Sequence, residues 1–211
     1  MFLLIAASLF QSAPPPEPIA ATLVEIVPGP KRYFHDGDER EGCPALSAAC
    51  RRKGYVVAGD RLVAWEAKGS LTRVTYLAPG SDRPSGGWVE SAALRRVVLA
   101  PPKASDWLGG WRGWEAEIDI TRGAKPGIFH LGGNATWGAH DPERVKRGGV
   151  NFGMFGADLP EPKGNSLALA DSEEPDCRIV LRLLGPYLVA SDNGRCGGMN
   201  VSFTGAYRRA R

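Results

Sequence analysis

Short runs of alternating apolar and polar residues recur through most of the chain and predict β-strands. In the clearest run, residues 114–120, the side chains at even positions are apolar and those at odd positions are carboxylates. Similar runs follow at 128–131, 150–154, 166–170, 177–184, 187–190 and 200–207. Seven or eight strands within residues 106–211 predict an antiparallel meander that closes into a β-barrel.

The first half of the chain shows shorter strands with turn residues between them. Runs rich in β-branched and aromatic residues lie at 55–60, 61–66, 71–77 and 87–89. A sheet of this size must close or pack to cover its edges, so a small barrel is expected over residues 31–98. The predicted fold is therefore all-β, a small barrel followed by a seven- or eight-stranded antiparallel β-barrel.

The small barrel resembles a known family. Residues 55–60, the hairpin through Gly69 and residues 87–94 are similar to a bacterial SH3-like (SH3b) domain, although Leu71 stands where such domains often have tryptophan. In that family, peptides or cell-wall fragments lie across exposed aromatic side chains. The groove candidates that the resemblance implies are Tyr33, Tyr55, Trp65, Tyr76 and Trp88. Packing in a core is the alternative explanation for the same side chains.

Two resemblances concern the second barrel. Gly-Trp at 110–111 and the arginines at 208–209 are similar to the calycin pattern of lipocalins and avidins. On this pattern the first and last strands pair, and an arginine covers an aromatic ring. Residues 185–208 resemble the C-terminal segment of exported proteobacterial proteins that are grouped with lysozyme inhibitors. That similarity implies a second barrel that binds or inhibits a lysozyme-like protein.

Proline-rich segments at 14–18, 28–30 and 101–102 indicate where the chain divides into domains and linkers.

Residues 2–10 are apolar or small and are typical of a signal-peptide core, which predicts export to the periplasm or secretion. Cleavage is expected near Ala13 or near Ala20 and Ala21. No later apolar run approaches the length of a membrane span. The predicted organisation is a signal peptide at 1–21, linkers at 22–30 and 99–105, and barrels at 31–98 and 106–211.

Four cysteines in an exported chain favour two disulfides. The strand that begins at Cys177 turns at residues 185–186, and the returning strand brings residues near position 194 opposite Cys177. This predicts a Cys177–Cys196 bridge and leaves Cys43 to pair with Cys50. The alternative, one zinc ion held by four thiolates, lacks the usual C-x2-C spacing.

Composition and charge narrow the classes of partner. The chain is 43% hydrophobic and 23% charged, with 27 Gly and 17 Pro, as in a globular protein rich in turns. A net charge of +3 is too small to indicate nucleic-acid binding. Residues 31–98 carry +4 and residues 106–211 carry none, so an anionic partner would meet the first barrel, notably at Arg51, Arg52 and Lys53. A charged, solvated surface is the plainer explanation.

Motifs for catalysis, metals and cofactors are not found. His35, His130 and His140 are isolated from other metal-ligand types, and no serine-hydrolase, P-loop or dinucleotide-binding motif occurs. The carboxylates within 115–119 are expected to form the solvent face of a strand. No catalytic residue, metal or cofactor is therefore predicted. The adjacent His140 and Asp141 are the one candidate catalytic pair.

Together these observations favour a non-catalytic binding protein of the cell envelope. The first barrel would bind peptidoglycan or a peptide, and the second would bind or inhibit a protein such as lysozyme. The alternative is a small hydrolase or transferase with a cleft between the two barrels. The sequence does not indicate an oligomeric state.

Overall fold

The structure is a computed structural model that describes residue 16 and residues 19–81, 83–174 and 176–210. The described residues form two antiparallel sheets, which confirms the predicted all-β fold. The predicted signal-peptide core at 2–10 and the cleavage position near Ala13 lie outside the described residues. Only short helical segments interrupt the strands, at Ser91–Ala93, Ala104–Asp106 and Pro142–Lys146 (α1).

The N-terminal sheet has seven strands. They are β1 (Thr22–Ile26), β2 (Arg32–His35), β3 (Arg51–Val56), β4 (Arg61–Lys68), β5 (Leu71–Tyr76), β6 (Ser85–Glu90) and β7 (Leu94–Arg96). Their order in the sheet is β3-β2-β6-β5-β4-β1-β7, so β3 and β7 are the edges. Apolar side chains on one side form the core of this sheet, among them Phe34, Leu62, Val74 and Val89.

The prediction that residues 22–30 form a linker is wrong in part, because this range contains strand β1. β1 occupies 22–26 of that range and lies between β4 and β7. Val24 and Ile26 belong to the core of the N-terminal sheet, whereas Leu23 is buried on the opposite side. A strand that is buried on both faces shows no apolar–polar alternation. The sequence pattern therefore did not predict β1.

The C-terminal barrel has eight antiparallel strands. They are β8 (Gly109–Gly113), β9 (Ala116–Arg122), β10 (Ile128–Trp137), β11 (Asn151–Pro160), β12 (Ser166–Ala170), β13 (Arg178–Leu184), β14 (Tyr187–Asp192) and β15 (Gly205–Arg209). Their order is β11-β10-β9-β8-β15-β14-β13-β12, which makes a nearly closed barrel. Its interior is filled by large buried side chains, including Trp107, Trp111, Phe129 and Phe203.

The first and last strands of the barrel pair as the sequence predicts. β15 is antiparallel to β8, with Arg209 opposite Trp111. The guanidinium carbon of Arg209 lies 4.3 Å from the centroid of the Trp111 ring. The first strand of the barrel, β8, lies before the alternating run at 114–120, which is the first strand that the sequence predicts for this barrel.

The barrel is incomplete between β11 and β12, where a few hydrogen bonds around Asp171 and Ser172 replace a strand ladder. The buried Asp171 directly follows β12. Its carboxylate accepts the N–H groups of Gly156 (2.5 Å), Glu173 (2.7 Å) and Glu174 (2.5 Å). The Gly156 carbonyl accepts two further hydrogen bonds, from the N–H and the hydroxyl of Ser172, both at 2.9 Å. The contacts of Gly156 with Asp171 and Ser172 join β11 to the end of β12, whereas the N–H groups of Glu173 and Glu174 bind Asp171 within its own loop.

The two sheets pack against each other through an apolar cluster. Its members are Ala21, Leu23, Val63, Leu77, Leu184, Tyr187, Val189 and Ala206. The Tyr187 hydroxyl donates to the Arg61 carbonyl at 2.9 Å, and the guanidinium of Arg208 donates to the Leu77 carbonyl. Burial in this contact raises the pKa of the Tyr187 hydroxyl.

Both predicted disulfides are present. Cys177 pairs with Cys196 in the core of the barrel, and Cys43 pairs with Cys50 in the loop between β2 and β3. The β13–β14 hairpin explains the Cys177–Cys196 bridge. Its register places Ile179 opposite Asp192, so the loop that follows β14 returns towards Cys177.

We predict that Asp171→Ala destabilises the protein by about 3 kcal/mol, because a buried carboxylate that accepts three N–H groups is lost. Chemical denaturation measures the change in the free energy of unfolding. Ser172→Ala is the control, since it removes one hydroxyl at the same seam and should cost about 1 kcal/mol. Equal effects of the two substitutions would contradict the role of Asp171.

Candidate functional site

A cleft of about 610 Å³ lies between the N-terminal sheet and the C-terminal barrel. We call it the inter-sheet cleft. Strands β4, β5 and β6 of the sheet contribute one wall, and the β8–β9 turn with the start of β15 contributes the other. Because the packing between the sheets fixes both walls, the cleft is a feature of the whole chain and of neither sheet alone.

Three tryptophans line the inter-sheet cleft. Trp65 comes from β4, Trp88 from β6 and Trp114 from the turn between β8 and β9. Trp88 is buried, whereas Trp114 is 37% exposed. The Trp65 indole N–H donates to the Thr75 hydroxyl at 2.9 Å, which sets the orientation of that ring. The cleft therefore offers aromatic surface from both walls.

Arg52 lies in the cleft wall, and its hydrogen bonds hold that wall together. Its Nε donates to Asp36 (2.6 Å), Nη1 to the Gly86 carbonyl (3.0 Å) and Nη2 to Glu39 (3.1 Å). Hydrogen bonds from the guanidiniums of Arg52 and then Arg40 lower the pKa of Asp36, and desolvation opposes them. Since each nitrogen of Arg52 already has a protein partner, this residue positions the wall.

Two other arginines lie over indole rings at the cleft. The guanidinium carbon of Arg73 is 5.9 Å from the centroid of Trp65, and that of Arg83 is 5.3 Å from the centroid of Trp114. Arg73 uses only its Nε, which donates to Glu66 at 2.7 Å. Arg83 comes from the N-terminal sheet and Trp114 from the barrel, so their contact bridges the two walls. These guanidiniums retain N–H groups for an anionic ligand.

Two glycines of β6 line the inter-sheet cleft. A Cβ on Gly86 would lie 2.4 Å from the Val74 carbonyl oxygen, and one on Gly87 would lie 2.6 Å from the His35 carbonyl oxygen. Gly87 also has φ of 148°, which other residues rarely adopt. Close packing of the neighbouring strands therefore excludes side chains here, and the exposed main chain lines the cleft.

The sequence-predicted ligand-binding residues separate into two groups. Trp65, Trp88 and Arg52 line the inter-sheet cleft. Tyr33, Tyr55 and Arg51 instead contact one another on the outer side of β2 and β3. Tyr76 belongs to neither group: its hydroxyl donates to Asp60 at 3.1 Å, and burial raises its pKa.

Trp114, Arg73 and Arg83 were not among the predicted ligand-binding residues. The alternation of residues 114–120 placed Trp114 on the buried face of a strand, but β9 begins at Ala116 and Trp114 lies in the turn before it. Glu115, with φ of 55°, completes that turn. The β-hairpin turn therefore brings the ring out of the strand face and into the cleft.

The three histidines lie apart from one another and form no common site. The ring of His140 stacks on Trp114 at 3.9 Å between centroids, while the carboxylate of Asp141 caps α1 by accepting the N–H groups of Glu143 and Arg144. His130 contacts Asp158 at 2.8 Å, at a distance from the cleft in the barrel wall. Within the described ranges, no group of three or more His, Cys, Asp or Glu side chains is arranged to hold a metal ion.

Comparisons with known proteins identify no relative. No family model, curated protein or solved structure matches the chain significantly. No helix in the described part of the chain is both long enough and apolar enough to span a membrane.

We predict that Arg52→Gln raises the pKa of Asp36 towards its ordinary value of 3.8, because the main cause of the lowered pKa is removed. A lowered pKa in the folded state means that the ion pair stabilises the protein above about pH 3.8 and that this contribution is lost as the pH falls through the lowered value. NMR titration of the Asp36 carboxyl measures the shift.

The control for this titration is Arg73→Gln, which removes another guanidinium of the cleft without touching Asp36. In that variant the Asp36 titration should match the unmodified protein. An Asp36 pKa that is the same with and without Arg52 would show that this arginine does not hold the wall.

Proposed function

We propose that the protein is an exported, non-catalytic binding protein of the cell envelope and that its inter-sheet cleft binds a peptidoglycan fragment. The observation that carries the proposal is the presence of two guanidinium–indole pairs, Arg73 with Trp65 and Arg83 with Trp114, at one cleft. Each pair combines an aromatic ring with a cation that has free N–H groups.

The chemistry of a peptidoglycan fragment suits this arrangement. Its sugar rings have apolar faces that can pack against the parts of the two indoles that Arg73, Arg83 and His140 leave uncovered. Its lactyl and stem-peptide carboxylates accept two parallel hydrogen bonds from a guanidinium. The cleft of about 610 Å³, lined in part by main chain at Gly86 and Gly87, has room for such a ring between the walls. The SH3-like resemblance of residues 31–98 suggests the same class of ligand.

The disulfides support export. Both bridges join cysteines that would remain reduced in most cytosolic proteins, so they are compatible with an oxidising compartment such as the periplasm. The apolar residues 2–10 supply the expected signal-peptide core. Together they favour a periplasmic or secreted protein.

The second part of the proposal is that the barrel contacts a protein such as lysozyme. The filled interior leaves the outer surface for this role. Phe152, Met154 and Met199 are 68%, 69% and 78% exposed, and the main-chain hydrogen bond from Gly198 to Phe152 brings them together. Exposed apolar side chains of this kind are typical of protein-binding surfaces.

We predict that the purified protein binds a soluble disaccharide-peptide fragment of peptidoglycan and that Trp114→Ala weakens this binding by about tenfold or more. The substitution removes a ring that is 37% exposed and lies outside both cores, so the fold should be kept. Isothermal titration calorimetry measures the affinity.

The matched control is Tyr55→Ala, which also removes an exposed aromatic ring beneath a cation but lies away from the cleft. Its affinity for the fragment should equal that of the unmodified protein. Failure of the unmodified protein to bind any fragment would reject the proposal. Hydrolysis of the fragment during the titration would instead support the alternative of an enzyme with a cleft between the sheets.

We predict that signal-peptide cleavage occurs near Ala13 and not near Ala20 or Ala21. Ala21 is buried in the contact between the sheets, and the Ile19 carbonyl accepts a hydrogen bond from Arg182 at 2.7 Å. Cleavage after Ala20 would place a charged amino group in this apolar cluster, which is unfavourable. The intact mass of the exported protein gives the position, and a chain that begins at Ala21 or Thr22 would contradict the prediction.

A further inference from the structure

A second group of cations and aromatic rings covers the outer side of β2 and β3. We call it the basic–tyrosine face and define it by Lys31, Tyr33, Arg51, Lys53 and Tyr55. Alternation along β3 directs its odd-numbered residues to the same side. All three cations and Tyr55 are exposed, and β3 is an edge of the sheet.

The opposite side of β3 belongs to the protein interior and to the cleft. Gly54 faces Phe34, because a Cβ on this glycine would lie 3.2 Å from the Phe34 ring. Arg52 lines the inter-sheet cleft on that same side. The basic–tyrosine face is therefore a separate surface from the cleft, and its ligand would not compete with a ligand of the cleft.

Cation–ring contacts organise the face. The rings of Tyr33 and Tyr55 meet edge to face, with 5.9 Å between their centroids. The ammonium of Lys31 lies 5.0 Å from the centroid of Tyr33 and 4.7 Å from that of Tyr55. The guanidinium carbon of Arg51 lies 5.0 Å from the centroid of Tyr33. These contacts hold two of the cations in place without neutralising their charge.

Most other cations of the N-terminal sheet have a carboxylate partner, whereas those of this face have none among the described residues. Arg61 and Arg95 share Glu25, and Lys68 pairs with Asp38. Among the described residues, no carboxylate oxygen lies within 4.0 Å of a charged nitrogen of Lys31, Arg51 or Lys53. Three cations without an ion pair are therefore clustered on this face, while Arg83 and Arg96, which also form no ion pair with a described residue, lie elsewhere.

We infer that the basic–tyrosine face binds the phosphate groups of an anionic lipid surface. Three exposed cations without a carboxylate partner on an edge strand complement a layer of lipid phosphates, and tyrosine rings are common at the level of lipid headgroups. A nucleic acid would require a groove or stacking platforms for bases, whereas the two tyrosine rings here contact each other edge to face. Positive charge also protects an edge strand from pairing with another chain, so the experiment must distinguish binding from protection.

The test is co-sedimentation of the purified protein with vesicles of phosphatidylcholine alone or mixed with phosphatidylglycerol. Binding should require phosphatidylglycerol and weaken with added salt. The variant Lys31→Gln/Arg51→Gln/Lys53→Gln should bind the mixed vesicles about a hundredfold more weakly, at about fivefold for each cation. The matched control, Lys125→Gln/Arg147→Gln/Lys163→Gln, removes the same charge from exposed positions of the barrel and should bind normally.

Other outcomes would overturn the inference. Equal losses in the two triple variants would show that only net charge matters, and equal binding to both kinds of vesicle would exclude phosphate recognition. Displacement by inorganic phosphate would indicate a site for free phosphate, and tight binding of a single-stranded oligonucleotide without vesicle binding would indicate a nucleic acid. If the triple variant at Lys31, Arg51 and Lys53 aggregates and the unmodified protein does not bind vesicles, the role of the positive charge is to keep the edge strand from pairing with another chain. Trp114→Ala should retain vesicle binding, so this test is independent of the proposed function.

Discussion

The apolar contact between the two sheets is the interaction on which the rest of the structure depends. Leu23 and Val63 from one sheet meet Val189 and Ala206 from the other, with Tyr187 at the same contact. Burial of such side chains is favourable whatever their exact orientation, but the hydroxyl of Tyr187 must also find an acceptor. Its hydrogen bond to a main-chain carbonyl of the opposite sheet makes one relative placement favourable, and the cleft exists because of that placement.

The barrel is a packed body whose interior leaves little room for a ligand. Trp107, Trp111, Ile118 and Phe203 are each completely buried there. Small barrels of about eight strands commonly fill their interior with side chains in this way. The inter-sheet cleft lies outside the barrel, and its opposite wall includes main chain at Gly86, where close strand packing excludes a side chain. Because the ligand site lies at the junction of two sheets, substitutions there can change its shape without disturbing the core of either sheet.

The sequence predicts the parts of this protein that have local causes. Strands with one solvated face, such as β9, show a clear alternation of apolar and polar residues. The β13–β14 hairpin allows the Cys177–Cys196 disulfide to be predicted. β1 was missed because both of its faces are buried. A cleft between the barrels was expected only under the alternative hypothesis of an enzyme. Its lining could not be predicted, since it joins Trp65 to Trp114 through a contact between distant parts of the chain that no periodicity records.

The double burial of β1 has a consequence for the order in which the chain folds. β1 is near the start of the chain, yet it pairs with β4 and with β7, about 40 and 70 residues later. Leu23 on its other face is covered only when β14 and β15 are in place. The earliest strand to be synthesised is thus among the last to be completely enclosed, and the nascent chain carries an uncovered apolar segment until its C-terminal strands have emerged.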